Sequence, residues 1–303
     1  MKTLIAGASG LVGSALVAAL RGSGHEVHRL VRRAAAAPDE IPWHPERREL
    51  EPPHIHGMDA VINLSGENVG AGRWTAARRE RILRSRIDAT ATLVKAMAAA
   101  ARKPSVFLSA SAVGFYGDRG DEVLTEAAGV GQGFLPEVCL AWETHAEGAS
   151  RSGVRTVLTR FGVVLAPNGG ALAKMLPLFR AGFGGRLGHG RQWMSWIAIE
   201  DVVGALMHCL TNPVCRGPIN VVAPDPVTNA DFTAALARVL QRPAVLPAPA
   251  WALRAVLGRM ADEALLASTR PVPEKLLKSG YLFRQPDLDE ALGSVLRLAA
   301  VIG

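Results

Sequence analysis

The sequence predicts an α/β fold, a doubly wound parallel sheet with a smaller, mostly helical C-terminal lobe. Three observations carry this. The first 31 residues read as strand, glycine-rich turn, helix and strand; short apolar runs then alternate with helical stretches as far as residue 222; and beyond that the pattern is helical with a proline-rich crossing.

Lys2-Thr3-Leu4-Ile5-Ala6 suits a buried strand. It breaks at Gly7-Ala8-Ser9-Gly10-Leu11-Val12-Gly13, after which Leu11, Ala15, Leu16, Ala19 and Leu20 recur at helical spacing. Gly24 ends the helix, and residues 27–31 form a second strand, completing a βαβ unit. Gly7 permits the tight turn, Gly10 lets backbone approach a pyrophosphate, and Gly13 lets the helix lie close to the sheet. Free N–H groups around Ser9, Gly10, Leu11 and Val12, helped by the helix dipole, then suit phosphates. The spacing is G-x-x-G-x-x-G, and its strand–turn–helix context points to dinucleotide binding. The second strand runs into Arg32-Arg33, with no acid before Asp39. A carboxylate there would bond a ribose 2′-hydroxyl, whereas a guanidinium suits a 2′-phosphate. The expected cofactor is therefore NADP(H), held at that end by Arg32 with Arg33 in support.

Residues 34–53 read as a loop rich in proline and charge, in which Trp43 either covers an adenine face or caps the core. Residues 59–66 form a third strand whose end, Leu64-Ser65-Gly66, would pass the adenosine half of a cofactor. Residues 73–101 are helical, 105–109 a strand, 137–151 a helix and 156–165 a strand. Residues 172–179 are helical, and a glycine-dense loop at 182–190 looks mobile. Asp201 reads as the N-cap of a helix at 202–210, and Thr228 caps one ending at Leu240.

Composition narrows the function. Apolar residues make up 49% and charged residues 20% of 303, which fits a globular chain and not a disordered one. The net charge of +7 is largely arginine, much of it at Arg73, Arg78, Arg79, Arg81, Arg84 and Arg86. No aromatic is interleaved there beyond Trp74, so this reads as a solvated helix face with phosphate-facing arginines, not a nucleic-acid platform. Cys139, Cys209 and Cys215 form no C-x-x-C pair and suit reduced thiols in a cytoplasmic setting. No run of about 20 apolar residues suggests a membrane span, and no His/Cys cluster has metal-ligand spacing.

The glycine turn, Asn63-Leu64-Ser65-Gly66, the segment from Ser111 to Tyr116-Gly117, and Arg160-Phe161 together resemble the extended branch of the short-chain dehydrogenase/reductase superfamily. Gly66-Glu67-Asn68, Arg73-Trp74-Thr75, Ser85-Arg86-Ile87, Trp142-Glu143 and residues 188–197 resemble, more narrowly, its atypical epimerase-family subgroup, also called nucleoside-diphosphate-sugar-epimerase-like. The resemblance runs from Met1 to about Leu292 and implies a Rossmann domain over 1–165, with 191–224 returning to it. Residues 166–190 and 225–303 would then form a substrate and lid lobe. It also implies a small-molecule substrate, with a homodimer as a possible assembly.

In the superfamily a Ser or Thr and a Tyr-x-x-x-Lys pair transfer protons beside the nicotinamide. Ser111 matches the first, but Cys139 stands where Tyr would be and Glu143 where Lys would be. A carboxylate one helical turn from a thiol disfavours the thiolate. Cys139 therefore reads as a small buried residue or a weak acid, and Glu143 as a ribose or backbone hydrogen-bond partner. Tyr116 is the alternative proton carrier, in a segment where extended relatives carry a substrate-lining tyrosine, with Glu126 and Asp118 weaker candidates in the same loop. Arg186, His189, Arg191, Gln192 and Trp193 would suit an anionic or sugar-like substrate. The expected activity is an NADP(H)-dependent oxidoreductase or epimerase-like reaction with an altered active site. A non-catalytic NADP(H) sensor is the alternative.

Overall fold

The computed structural model describes the backbone of residues 1–302 and side chains through Arg297. In chain order it contains β1 (Lys2–Ala6), α1 (Leu11–Gly22), β2 (Glu26–Val31), β3 (Glu40–Pro42), β4 (Ala60–Asn63), α2 (Ala76–Ala99) and β5 (Val106–Ala112). Next come β6 (Val123–Leu124), α3 (Phe134–Ala146), α4 (Gly148–Arg151), β7 (Arg155–Phe161), β8 (Val163–Leu165) and α5 (Gly170–Arg180). The last third holds β9 (Trp193–Met194), β10 (Trp196–Ala198), α6 (Ile199–Thr211), β11 (Gly217–Val221), β12 (Val227–Thr228) and α7 (Asn229–Leu240). It ends with α8 (Ala250–Leu257), β13 (Arg270–Pro271), α9 (Glu274–Lys278) and α10 (Leu288–Ile302).

Seven strands form one sheet in the order β11-β7-β5-β4-β1-β2-β3, and every pairing in it is parallel. Because both faces must be covered, the strands read as nearly continuous apolar runs. On one face α1 (Leu16, Val17, Leu20) and α6 (Val202, Leu206, Cys209) pack against Ile5, Ile62 and Leu108. On the other, Leu93, Ala96 and Met97 of α2, with Ala146 and Ala149, pack against Leu4, Val61 and Phe107. A separate apolar cluster joins α5, α7 and α10 through Leu172, Phe179, Phe232, Leu236 and Leu292. No helix among the described residues is long and apolar enough to cross a membrane.

Several local expectations change. The loop at 34–53 contributes β3, which completes the sheet edge, and Trp43 caps the core there. Three residues with a proline at the end carry too little alternation to announce a strand. The strand expected over 156–165 divides at Gly162, where a Cβ would lie 2.8 Å from the Ser195 carbonyl oxygen, and β8 turns away to pair with β10. The helix expected at 137–151 begins at Phe134 and divides into α3 and α4. Thr228 does cap α7, in a reciprocal capping box with Asp231.

Asp201 is not the N-cap of α6, which starts at Ile199 behind Ala198. Its buried carboxylate instead accepts the Tyr281 hydroxyl (2.9 Å) and the backbone N–H groups of Arg284 (2.8 Å) and Gln285 (2.9 Å). Burial, and next the Asp201 charge, push the Tyr281 phenol well above its ordinary range, so it stays a donor. This joint fastens residues 281–285 to α6. Asp201→Ala leaves the Arg284 and Gln285 N–H groups without an acceptor and the Tyr281 hydroxyl with only the Asp201 backbone carbonyl (3.1 Å), and should cost about 2 kcal/mol or more. The expected result is a lowered Tm with early proteolysis near residue 281; an unchanged melting curve would count against the joint.

Candidate active site

The strand order reverses between β1 and β4, the switch point at which a parallel sheet offers a crevice at the C-terminal ends of its strands. Its floor is the glycine turn. Gly7 has φ +80°, and a Cβ on it would sit 2.6 Å from the Leu64 carbonyl carbon; one on Gly13 would sit 2.1 Å from the Gly7 oxygen. Both positions exclude any side chain, so the turn, the end of β4 and the start of α1 meet backbone to backbone. Gly10 is the N-cap of α1, no side chain caps it, and no acid lies in the first turn. The Gly10 N–H closes the turn on the Gly7 carbonyl (3.1 Å), and Ser9, Leu11 and Val12 present open amides at the helix start, the arrangement that binds phosphate. The phosphates of a dinucleotide fit this cradle, because the helix start is uncapped and carries no acid.

The adjoining wall is fixed from beneath. Asn63 donates to Thr90 (2.9 Å) and accepts from the Ser65 backbone (3.2 Å) and hydroxyl (2.5 Å). Leu64, Ser65 and Gly66 are thereby set beside Gly7. On the opposite wall, Gly169 packs on Leu11, where a Cβ would come within 2.8 Å of Leu11 Cδ1.

The two arginines after β2 differ in fate. Arg33 is bidentate on Glu40, at 2.7 Å for both contacts, so it is not free to support a phosphate. Arg32 is exposed and makes no hydrogen bond or ion pair among the described residues. Asp39 pairs with Arg29 and Arg21. The Arg29 hydrogen bond holds the Asp39 carboxyl down to about 2, and the Arg33 hydrogen bond, with the Ala36 N–H, holds Glu40 down to about 2. Both acids near the Arg32 end are thus already neutralised by arginines.

The candidates for chemistry converge in a buried network. Arg160, at the end of β7, donates to both oxygens of Glu143 on α3 (2.8 Å each). Ser111, paired with Arg160 in the β5–β7 register, donates to Glu143 Oε1 at 2.6 Å. Arg160 also donates to the Tyr116 hydroxyl (3.0 Å), which donates to Asn220 Oδ1 (2.7 Å), and its guanidinium lies 3.6 Å from the Phe115 ring centroid. Desolvation opposes the Arg160 charge, yet the Glu143 hydrogen bonds outweigh it and its pKa is raised.

This corrects two expectations. Tyr116 has 0% exposure and its hydroxyl is consumed between Arg160 and Asn220, while burial raises its pKa; it cannot carry protons to a substrate in the crevice. Glu143 does not face a ribose, because both its oxygens are held by Arg160 and Ser111. Ser111 itself is 2% exposed. Cys139 is buried, and burial, then the Glu143 charge, push its thiol up to about 11.

Other candidates also serve structure. Glu126 is buried and accepts the Asn220 and Lys275 backbone N–H groups, and Asp118 accepts those of Gly120 and Ser268. Gln192 is buried against Leu187 and Leu265, and Trp193 donates to Asp121 beneath Arg270. Arg186, His189 and Arg191 remain exposed. A small cavity lies between Gly114, Gly117, Gln132, Leu135, Glu263 and Thr269, where the C-terminal lobe meets the end of β5. Among the described residues no group of three or more His, Cys, Asp or Glu could hold a metal ion. Arg86, assigned to a solvated helix face by its charged neighbours, is in fact half-buried and turned into the crevice wall at Gly66.

The sheet order and the glycine cradle at its switch point define a dinucleotide-binding protein of the short-chain dehydrogenase/reductase type. Residues 3–222 match the NAD dependent epimerase/dehydratase family, and the chain belongs to it; residues 248–295 match a domain of unknown function, DUF1731. It is 47% identical over 289 residues to the epimerase family protein Mb2239 of Mycobacterium bovis, covering 95% of each chain. The structure of human epimerase family protein SDR39U1 with NADPH superposes with TM-score 0.91 at 33% identity, over 98% of this chain and 99% of that one. A nucleoside-diphosphate sugar epimerase from Corynebacterium glutamicum matches with TM-score 0.80 at 37% identity, over 98% of this chain and 58% of that one.

The acids beside Arg32 give a testable acid response. Their folded pKa values lie below the ordinary 4.5 and 3.8, so their stabilisation is complete above about 4.5 and is lost as pH falls toward about 2. The Tm gap between wild type and Glu40→Gln should be widest near neutrality and close on acidification. A gap that stays constant with pH would contradict the pairing.

Proposed function

We propose that the protein is an NADP(H)-dependent oxidoreductase or epimerase-like enzyme acting on a small molecule, with proton handling unlike that of the tyrosine–lysine enzymes. The observation that carries the cofactor half is Arg32: an unpaired guanidinium at the end of β2, beside acids that other arginines have already neutralised. A guanidinium fork suits a 2′-phosphate, and NADPH in the human relative's structure supports the same reading. In this reading Gly7, Ser9, Gly10, Leu11 and Val12 hold the pyrophosphate, and Leu64, Ser65 and Gly66 line the adenosine side.

The cofactor, when bound, supplies or accepts hydride. The proton is the chain's task. Ser111 already donates its own proton to Glu143, so its oxygen offers lone pairs toward a substrate hydroxyl. It can accept that hydroxyl's proton as its own passes to Glu143 Oε1, and the reverse path protonates a forming alkoxide. Arg160 positions Glu143 through two parallel hydrogen bonds. The burial of Ser111, Tyr116 and Cys139 favours a second reading, a sensor that binds NADP(H) without consuming it.

Calorimetry of NADPH and NADH separates the cofactor assignment. Arg32→Ala should weaken NADPH at least about tenfold, as expected for a lost charged hydrogen bond of ~1.5–3 kcal/mol, and leave NADH unchanged; equal loss of both would refute the role. NADPH consumption with a pool of carbonyl metabolites tests the chemistry. Ser111→Ala should cut turnover about 10²–10⁴-fold at unchanged NADPH affinity. No consumption by wild type, with different protease patterns for NADP⁺ and NADPH, would establish the sensor instead.

A further inference from the structure

Arg86 is the charged group that the reading above leaves without a task. It lies on α2 among Arg81, which is exposed, and Arg84, which pairs with Glu80 at the surface. Arg86 instead turns inward. Its Nη1 donates to the Ile82 carbonyl (2.9 Å) and the Glu67 carbonyl (3.1 Å), and its Cζ lies 4.9 Å from the Trp142 ring centroid. Gly66 makes room for it: a Cβ there would be 3.1 Å from Cζ and 3.3 Å from Nη2.

No carboxylate answers this charge. Arg86 forms no ion pair among the described residues, and the Glu67 side chain lies 3.5 Å from Arg78 instead. Nε and Nη2 have no hydrogen-bond partner among the described residues, yet neither is a sealed atom, unlike Nε of Arg78 and Arg79. Both atoms therefore keep some surface uncovered by the protein. Desolvation lowers the pKa of Arg86, so the surroundings work against its charge. Arg160 shows the completed version of this arrangement, with a bidentate carboxylate and a stacked aromatic ring.

We propose that Arg86 is the receptor for an anionic oxygen of the substrate, a carboxylate or a phosphate, next to the nicotinamide half of the cofactor. The proposal rests on the NADP(H) reading and deepens it. The order β5-β4-β1-β2 sets Arg32 on one side of the glycine cradle and Arg86 on the other, beyond β4. With the 2′-phosphate at Arg32 and the pyrophosphate at the cradle, the nicotinamide extends toward β4 and β5. Arg86 sits past Gly66, the last residue of the adenosine wall, and against Trp142 of α3, the helix that carries Cys139 and Glu143 where the superfamily pattern has tyrosine and lysine. A planar fork with two free edges, backed by an indole, selects a planar or tetrahedral oxyanion over a neutral hydroxyl. The anion also supplies the counter-charge that the folded chain lacks.

The test is calorimetric titration of oxalate and of inorganic phosphate into NADPH-saturated and cofactor-free protein, with neutral oxamide as control. Wild type should bind one or both anions and not oxamide. Arg86→Gln should weaken that binding at least about tenfold, and Arg86→Lys, which keeps charge but loses the fork, should fall between. Gly66→Ala, which displaces the guanidinium without removing it, should also weaken the anion. NADPH affinity should stay within about threefold in both Arg86 variants, which certifies folding and separates the two sites. With the cradle filled by NADPH, anion binding that survives Arg86→Gln, or no anion binding by wild type, overturns the proposal. So does joint loss of NADPH and anion in both Arg86 variants, which would assign Arg86 to the cofactor. If wild type binds oxalate through Arg86 but not NADPH, the cofactor reading fails alone.

Discussion

The ion pair between Arg160 and Glu143 ties together the parts of the molecule that build the crevice. It joins the end of β7 to the middle of α3, takes in Ser111 from β5, and reaches β11 through Tyr116 and Asn220. Both charges are withdrawn from water, so each depends on the other: removing one would leave a buried, uncompensated ion at a cost of about 3–5 kcal/mol. The pair is satisfied on nearly every side, with two parallel hydrogen bonds, a serine donor and an aromatic face. That completeness is what makes a buried charge tolerable.

The same pair reorganises the chemistry. In a tyrosine–lysine enzyme the ammonium lowers the phenol's pKa and the phenol faces the substrate. Glu143 is bound by Arg160 and Ser111, and the Cys139 thiol one helical turn before it is pushed up to about 11. The remaining phenol in the segment is locked into the core. In the proposed reaction the proton passes through the Ser111–Glu143 pair. The two arginines of the crevice then divide its charge: Arg160 is neutralised internally, whereas Arg86 keeps an unspent positive charge at the wall.

The cofactor half rests on geometry of a different kind. At Gly7 and Gly13 the backbone of the turn touches β4 and α1 so closely that no Cβ fits. This sets the helix start at the switch point of the sheet and leaves its first amides uncapped. Beside it, Asn63 and Thr90 form a small buried polar brace for the strand end. Cradle and brace are local, and the family match over residues 3–222 covers both.

What the sequence determined by itself is what depends on neighbours in the chain. The βαβ unit, the spacing of Gly7, Gly10 and Gly13, the alternation of apolar runs with helices, and Arg32-Arg33 are short-range patterns, set by backbone sterics and strand and helix periodicity. Tertiary structure decided the rest, because burial and pairing are made between distant segments. Arg33 is spent on Glu40 only because β3 docks beside β2; Tyr116 is buried only because Asn220 lies 104 positions away on β11. Asp201 looks like a helix cap from its neighbours, yet its carboxylate serves residues more than 80 positions later. Arg86 sits in a run of arginines that reads as a solvated face, and only the approach of Gly66 and Trp142 shows that one of them points inward. A charge's role depends on what surrounds it, and a linear pattern specifies the charge without its surroundings.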